Sequence, residues 1–90
     1  MKLTHEYLHN CGFECDVEMN FTVHYWKDDT FELIDFSETG VKHECNWELI
    51  IFSTKDKSYG NVRLIANTDE LDKIKVLLGL FDIDSKKYFK

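Results

Sequence analysis

The sequence contains no proline, only four glycines and only three cysteines in 90 residues. The glycines are isolated at positions 12, 40, 60 and 79, so the sequence lacks a glycine-rich loop of the kind that holds phosphate groups. An odd number of cysteines does not suit the disulfide framework of a secreted domain, which favours reduced thiols in the cytoplasm. No apolar run is long enough to span a bilayer and no signal peptide is visible, so we expect no membrane association.

Hydrophobic residues and acidic residues are both abundant. Hydrophobic residues make up 43% of the chain, enough for one core, and we expect a single domain over residues 1–90. The net charge of −6 argues against direct binding to nucleic acid. The charge is uneven, because residues 14–48 contain ten acids and two lysines, a net of −8, whereas residues 49–90 have a net of +2. This concentration of acids bears most directly on function.

Two segments have the features of helices, one near each end of the chain. Thr4 is placed to cap the first turn of a short helix, and Gly12 is placed to end it. In the second segment, Asn67 or Thr68 can cap the start and Gly79 is a suitable stop. Apolar residues recur there at helical spacing. They are Leu71, Ile74, Leu77, Leu78 and Phe81.

The region between the helices has the patterns of strands. The strongest signal is the strict alternation of apolar and polar residues from Phe13 to Tyr25. It predicts extended chain with one buried face, either as one strand or as two segments with a bend near Met19 and Asn20. Three further strands, separated by polar turns, are predicted over Thr30–Phe36, His43–Ser53 and Asn61–Ala66.

This order of elements, α-β-β-β-β-α, predicts an α+β fold. The links favour a four-stranded antiparallel meander with an N-terminal and a C-terminal helix packed on one face. The other face then carries acids with apolar groups among them, which is typical of a binding surface for a basic protein. The predicted partner-binding residues are Glu14, Asp16, Glu18, Trp26, Glu32, Ile34, Phe36, Glu44 and Glu48.

Two alternative functions stay open. Cys11, Cys15, His43 and Cys45 could supply four ligands to a structural zinc ion, although their spacing is not that of a standard zinc motif. The simpler interpretation is that the cysteines are buried as small hydrophobic residues. A homodimer or other assembly module, formed through open sheet edges, is the second alternative. We do not expect an enzyme, since no glycine-bearing nucleophile turn surrounds a serine or cysteine.

Both ends of the chain resemble a known group of proteins. The opening Leu3-Thr4-x-x-Tyr7-Leu8-x-x-x-Gly12-Phe13 is similar to the start of many short uncharacterised phage and prophage proteins. The C-terminal parts of these phage and prophage proteins resemble the segment Ile65-x-x-Thr68-x-Glu70-Leu71-x-x-Ile74-x-x-Leu77-Leu78-Gly79. The resemblance assigns no catalytic residue. It implies a protein that binds and modulates a host protein, for example one that handles nucleic acid or acts in defence.

Overall fold

The structure is a computed structural model that describes residues 1–19, 21–37, 46–52 and 62–90, with the backbone alone described for residues 62–65. Within these residues, five strands lie in the chain between two α-helices, and a short 3₁₀ helix follows. The elements are α1 (His5–Asn10), β1 (Glu14–Val17), β2 (Val23–Trp26), β3 (Phe31–Asp35), β4 (Trp47–Phe52), β5 (Val62–Asn67), α2 (Leu71–Leu80) and the 3₁₀ helix (Ser85–Lys87).

The strands form one antiparallel sheet in the order β1-β2-β3-β4-β5, so each strand pairs with its sequence neighbours. The α+β class, the antiparallel meander and the flanking helices are confirmed, but the sheet has five strands where four were predicted. The additional strand arises because the predicted segment from Phe13 to Tyr25 folds back as a hairpin. In its turn the N–H of Glu18 donates to the carbonyl of Thr22 at 2.9 Å, and Phe21 adopts a φ of 66°.

The core lies between the helices and the face of the sheet toward them, which we call the inner face. Tyr25, Leu33 and Leu49 project from this face and are at most 1% exposed. They belong to one hydrophobic cluster with Leu8 of α1 and Ile74 of α2, both fully buried. Such side chains stabilise the fold by roughly 1.5–3 kcal/mol each on burial. The sheet therefore depends on both helices for the cover of its inner face.

The inner face of β1 is not covered in this way. The prediction that the apolar residues of this segment are buried is wrong for Cys15, Val17, Met19 and Phe21, which are exposed. Val17 is 60% exposed, Met19 98% and Phe21 64%. The cause is the length of α1, because six residues span only about 9 Å and leave the edge of the sheet uncovered.

The first helix begins and ends as predicted. The hydroxyl of Thr4 accepts a hydrogen bond from the N–H of Tyr7 at 3.0 Å. After the helix, Gly12 takes the left-handed conformation with a φ of 88°. The N–H of Phe13 then donates to the carbonyl of Leu8 at 3.1 Å, which satisfies one of the free carbonyls at the helix end.

The second helix departs from the prediction at both ends. Its N-cap is Glu70, which makes no side-chain cap, whereas Asn67 lies in β5 and donates to the carbonyl of Trp47 at 2.7 Å. At the other end, the left-handed residue is Asp82, with a φ of 59°, rather than Gly79. The pairing of β5 with β4 holds Asn67 in the sheet, so the helix starts later than the capping pattern predicted.

The segment that follows α2 packs onto the core. Tyr88 and Phe89 are 5% and 6% exposed and belong to the main cluster. The hydroxyl of Tyr88 donates to Asp28 at 2.6 Å, in the turn between β2 and β3. At the other end of the sequence, the N–H of Leu3 donates to the carbonyl of Asp69 at 2.7 Å. Both ends of the described chain are thus fixed to the body of the domain.

Candidate functional site

The face of the sheet away from the helices, which we call the outer face, carries the acidic side chains. Residues paired across strands share a face, and the register aligns Asp16, His24, Ile34 and Glu48 in one row across β1 to β4. Four carboxylates, one histidine and no lysine or arginine occupy the outer positions of these strands. The outer positions are Glu14, Asp16, His24, Trp26, Glu32, Ile34, Glu48, Ile50 and Phe52.

The predicted acidic residues differ in how much of each is open to a partner. Glu14 and Asp16 are exposed on β1, and Glu18, which follows that strand, has a side chain that is 56% exposed. Glu48 is partly buried, and the side chain of Glu32 is only 18% exposed. The freely accessible carboxylates are therefore concentrated along β1. The predicted residue Glu44 lies outside the described residues.

The predicted apolar contacts are also unequal. Trp26 and Phe36 are partly buried, and each keeps some surface open. Ile34 is only 4% exposed, although it projects from the outer face rather than into the main core. Of the predicted residues, the structure thus brings two aromatic side chains and three open carboxylates to this side of the sheet, while Ile34 offers almost no contact area.

His24 lies in the middle of the acidic row, with polar partners on both ring nitrogens. Nδ1 is 3.2 Å from a carboxylate oxygen of Glu32, and Nε2 is 3.0 Å from the hydroxyl of Thr22. A carboxylate oxygen of Glu18 is 3.8 Å from Nε2. These contacts hold Glu32 against the sheet, which explains its low exposure.

The backbone of β1 is open along one side. Peptide groups in an antiparallel ladder alternate in direction, and Glu18 bonds toward β2 through its N–H. Glu14 and Asp16 therefore also point their backbone groups toward β2, whereas Cys15 and Val17 point theirs away from it. Because β1 is the first strand in the sheet order, no described strand receives the groups of Cys15 and Val17.

A second polar group, which the sequence did not predict, lies in an open cleft of about 530 Å³ beside the start of α1. Asp35, only 3% exposed, accepts a hydrogen bond from Nε2 of His5 at 2.6 Å. It also accepts from the hydroxyl of Ser37 at 3.0 Å and from its N–H at 2.9 Å. Nδ1 of His5 is hydrogen-bonded to the hydroxyl of Tyr25. Both ring nitrogens of His5 are thus engaged within the protein.

Tyr25 extends this chain of hydrogen bonds toward the surface. Its hydroxyl also lies 3.4 Å from Nε2 of the exposed His9. Burial, with Cys15 and Asp35 nearby, raises the pKa of Tyr25 above its ordinary value. The phenol is therefore protonated over the physiological range and can donate to His5. A complete set of donors and acceptors supports a structural role for this group.

The cysteines proposed as zinc ligands lie in different environments. Cys11 is buried in the core, at the end of α1, and Cys15 is exposed on β1. The other two predicted ligands, His43 and Cys45, lie outside the described residues. Among the residues that the structure describes, no group of three or more potential ligands is placed to hold a metal ion. The zinc hypothesis stays a prediction.

Similarity to known proteins does not assign the chain to a group. No family model, curated protein or solved structure matches it. The resemblance to phage and prophage proteins depends on helix ends and apolar spacing, and it stays a prediction. None of the helices in the described ranges has the length and apolar character needed to cross a membrane.

Proposed function

We propose that this chain is a non-catalytic protein-binding domain whose outer face binds a basic surface on a partner protein. The observation that carries the proposal is the outer face itself, where the described positions of β1 to β4 hold four carboxylates and no lysine or arginine. A face that serves only solubility usually mixes charges of both signs. A face whose charges all have one sign attracts partner surfaces of opposite charge and accelerates their association.

The aromatic residues of the outer face support the same function. Trp26 and Phe36 keep part of their surface open beside the acids. Aromatic side chains contribute much of the binding energy in protein interfaces, whereas exposed charges mainly determine orientation and association rate. Together the two kinds of side chain make a surface suited to a basic protein.

The sharpest form of the proposal is a partner that handles nucleic acid. Such proteins present lysine and arginine to bind phosphate groups, and an acidic face can occupy that surface. The resemblance to small phage proteins points to a modulator of this kind, acting in the cytoplasm. A strong dependence of binding on salt concentration is expected, because exposed charges are screened within about 8–10 Å at physiological ionic strength.

The test compares two triple variants with the same change in net charge. The first reverses the outer face with Glu14→Lys, Asp16→Lys and Glu48→Lys. The second reverses acids of the helical side with Glu6→Lys, Glu70→Lys and Asp72→Lys, all exposed residues. Circular dichroism and thermal unfolding establish that both variants fold.

Affinity capture from nuclease-treated lysate then distinguishes the faces. The wild type and the helical-side variant should retain the same basic protein, and the outer-face variant should lose it. Capture that is equal for all three proteins contradicts the proposal. Equal loss from both variants shows dependence on net charge alone and also contradicts it.

A further inference from the structure

We infer that the open edge of β1 binds an extended segment of the partner protein, which adds to the sheet as a strand and alternates basic with apolar residues. This inference rests on the proposed function and identifies the form in which the partner presents its basic groups. Added strands of this kind gain affinity from backbone hydrogen bonds and specificity from alternate side chains.

The backbone of β1 is open on the side away from β2. The peptide groups of Cys15 and Val17 point away from β2, and β1 ends the sheet on this side. An unpaired row of N–H and C=O groups is a template for another strand. Both residues are exposed, so no side chain described in the structure blocks access to the edge.

The side chains on that edge alternate between acidic and apolar. Glu14, Asp16 and Glu18 alternate with Cys15 and Val17, so acids occupy the outer side and apolar groups the inner side. Residues directly opposite each other in neighbouring strands interact most strongly, and opposite charges stabilise the pair. A segment that places lysine or arginine opposite the acids therefore places its own apolar residues beside the exposed side chain of Val17.

The hairpin turn after β1 adds exposed apolar surface beside this edge. Phe21 is 64% exposed and holds a left-handed backbone conformation, with a φ of 66°. This conformation costs roughly 1–2 kcal/mol in a residue with a bulky side chain. Within the described residues little of the ring is covered in return. Phe21 and Met19 lie exposed in the turn next to β1 and offer contact area to the apolar residues of an added strand.

A second copy of the chain is a less suitable occupant. Antiparallel pairing of two β1 strands centred on Asp16 would place Asp16 opposite itself and Glu14 opposite Glu18 of the other copy. Like charges directly opposite destabilise a strand pair. The acids of β1 therefore disfavour self-pairing by the same interaction that attracts a basic strand.

The test uses synthetic peptides in place of the partner. The probe is a short peptide in which lysine and valine alternate, and the control has the same composition with its lysines grouped at one end. Isothermal titration calorimetry should show at least about tenfold tighter binding of the alternating peptide, equivalent to about 1.4 kcal/mol. In ¹⁵N NMR spectra the amides of Cys15 and Val17 should shift on binding. Equal affinity for the two peptides overturns the inference.

Two variants separate the edge from the charge. Val17→Pro removes an N–H that points away from β2, so it should leave the β1–β2 ladder formed and reduce affinity about tenfold or more. The double variant Glu14→Lys, Asp16→Lys keeps the backbone and should bind a peptide of alternating glutamate and valine, which the wild type rejects. If Val17→Pro does not fold, the amide shifts of Cys15 and Val17 and the comparison of the alternating with the grouped peptide decide the question.

The outcomes distinguish this inference from the proposed function. If charge reversal abolishes peptide binding while Val17→Pro leaves it unchanged, the outer face binds basic groups without strand addition, and the inference is wrong. If neither change affects binding, both are wrong. Self-association of the wild type that Val17→Pro removes would assign the edge to a second copy and overturn the inference.

Discussion

The hydrogen bonds around Asp35 give a prediction whose size follows from the geometry. The buried carboxylate accepts three hydrogen bonds, one from His5 at 2.6 Å and two from Ser37. Asp35→Asn preserves the shape but replaces one oxygen by an NH₂ group, which faces Nε2 of His5 and the hydroxyl of Ser37. Hydrogen bonds to charged groups contribute about 1.5–3 kcal/mol each, compared with about 1 kcal/mol for neutral pairs.

The cost of Asp35→Asn should be about 2 kcal/mol. Asparagine can still accept the backbone bond from Ser37, so the loss comes from replacing the charge-assisted bonds of His5 and of the Ser37 hydroxyl by neutral bonds to the NH₂ group. For a domain of this size the melting temperature should fall by about 8–16 °C. Urea unfolding at constant pH measures the change in free energy. The variant Ser37→Ala removes one hydroxyl donor to the carboxylate and leaves His5 and the backbone donor in place. Because Ser37 is exposed, it should cost about 1.5 kcal/mol, the lower end for a bond to a charged group.

The same substitution should change the tautomer of His5. In the wild type, neutral His5 carries its proton on Nε2, donates to Asp35 and accepts from Tyr25 at Nδ1. Asparagine at position 35 favours the opposite tautomer, because its NH₂ group donates to Nε2. Long-range ¹⁵N NMR reports the tautomer directly. A loss below about 0.5 kcal/mol together with an unchanged tautomer would refute this account of Asp35.

Two further predictions concern a pH dependence and two glycines. Burial raises the pKa of Asp28, but hydrogen bonds from Tyr88 and Thr30 outweigh this effect and lower the pKa below its usual value. The stability that results is present above the pKa of Asp28 in the unfolded chain, about 3.9, and is lost as the pH falls through its lower pKa in the folded protein. Asp28→Asn should therefore make the free energy of unfolding, measured by urea titration, depend less on pH below about pH 4. Gly12→Ala should lower the free energy of unfolding by about 1 kcal/mol, because Gly12 has a φ of 88° and the added methyl group meets Lys27 atoms only at 3.9 Å. Gly79→Ala should raise it by about 0.5–1 kcal/mol, because the methyl group meets nothing within 4 Å and alanine favours the helix. The same sign for both glycine variants in urea unfolding would contradict this assignment.

The sequence predicts the fold well where local chemistry determines it. Thr4 and Gly12 mark both ends of α1 because a cap and a left-handed stop depend only on nearby residues. The division between β1 and β2 was harder to predict. Apolar and polar residues continue to alternate through the turn at Met19 and Phe21, with neither glycine nor proline to mark it. The period therefore describes extended chain correctly and leaves open whether it is one strand or two; of these alternatives, the one with a bend near Met19 and Asn20 agrees with the structure, where β1 ends at Val17 and β2 begins at Val23.

The sequence predicted only part of the candidate site, because alternation carries limited information here too. Alternation assigns side chains to faces, and the structure brings Glu14 and Asp16 together with Trp26 on one face, as that reasoning requires. Alternation does not reveal burial, and Ile34 is almost completely covered. The hydrogen-bonded group of His5 and Asp35 in the cleft was not predicted, although the sequence contains a signal for it. Asp35 follows Leu33 by two residues, so alternation places it on the inner face. A carboxylate at a core position requires partners, and one of them, His5, comes from a distant helix, while Ser37 lies two residues away.

The pairing of each strand with its sequence neighbours has a consequence for the order of folding. Loop closure costs entropy that increases with the length of the loop, so the β1–β2 and β2–β3 hairpins can form early and at low cost. The contacts of Met1 and Leu3 with Leu71 and Asp69 close a loop that includes most of the chain, and they should form late. Hydrogen exchange should therefore find the amides of Leu3 and Leu71 opening before the central strands, as the last part of the molecule to assemble and the first to separate.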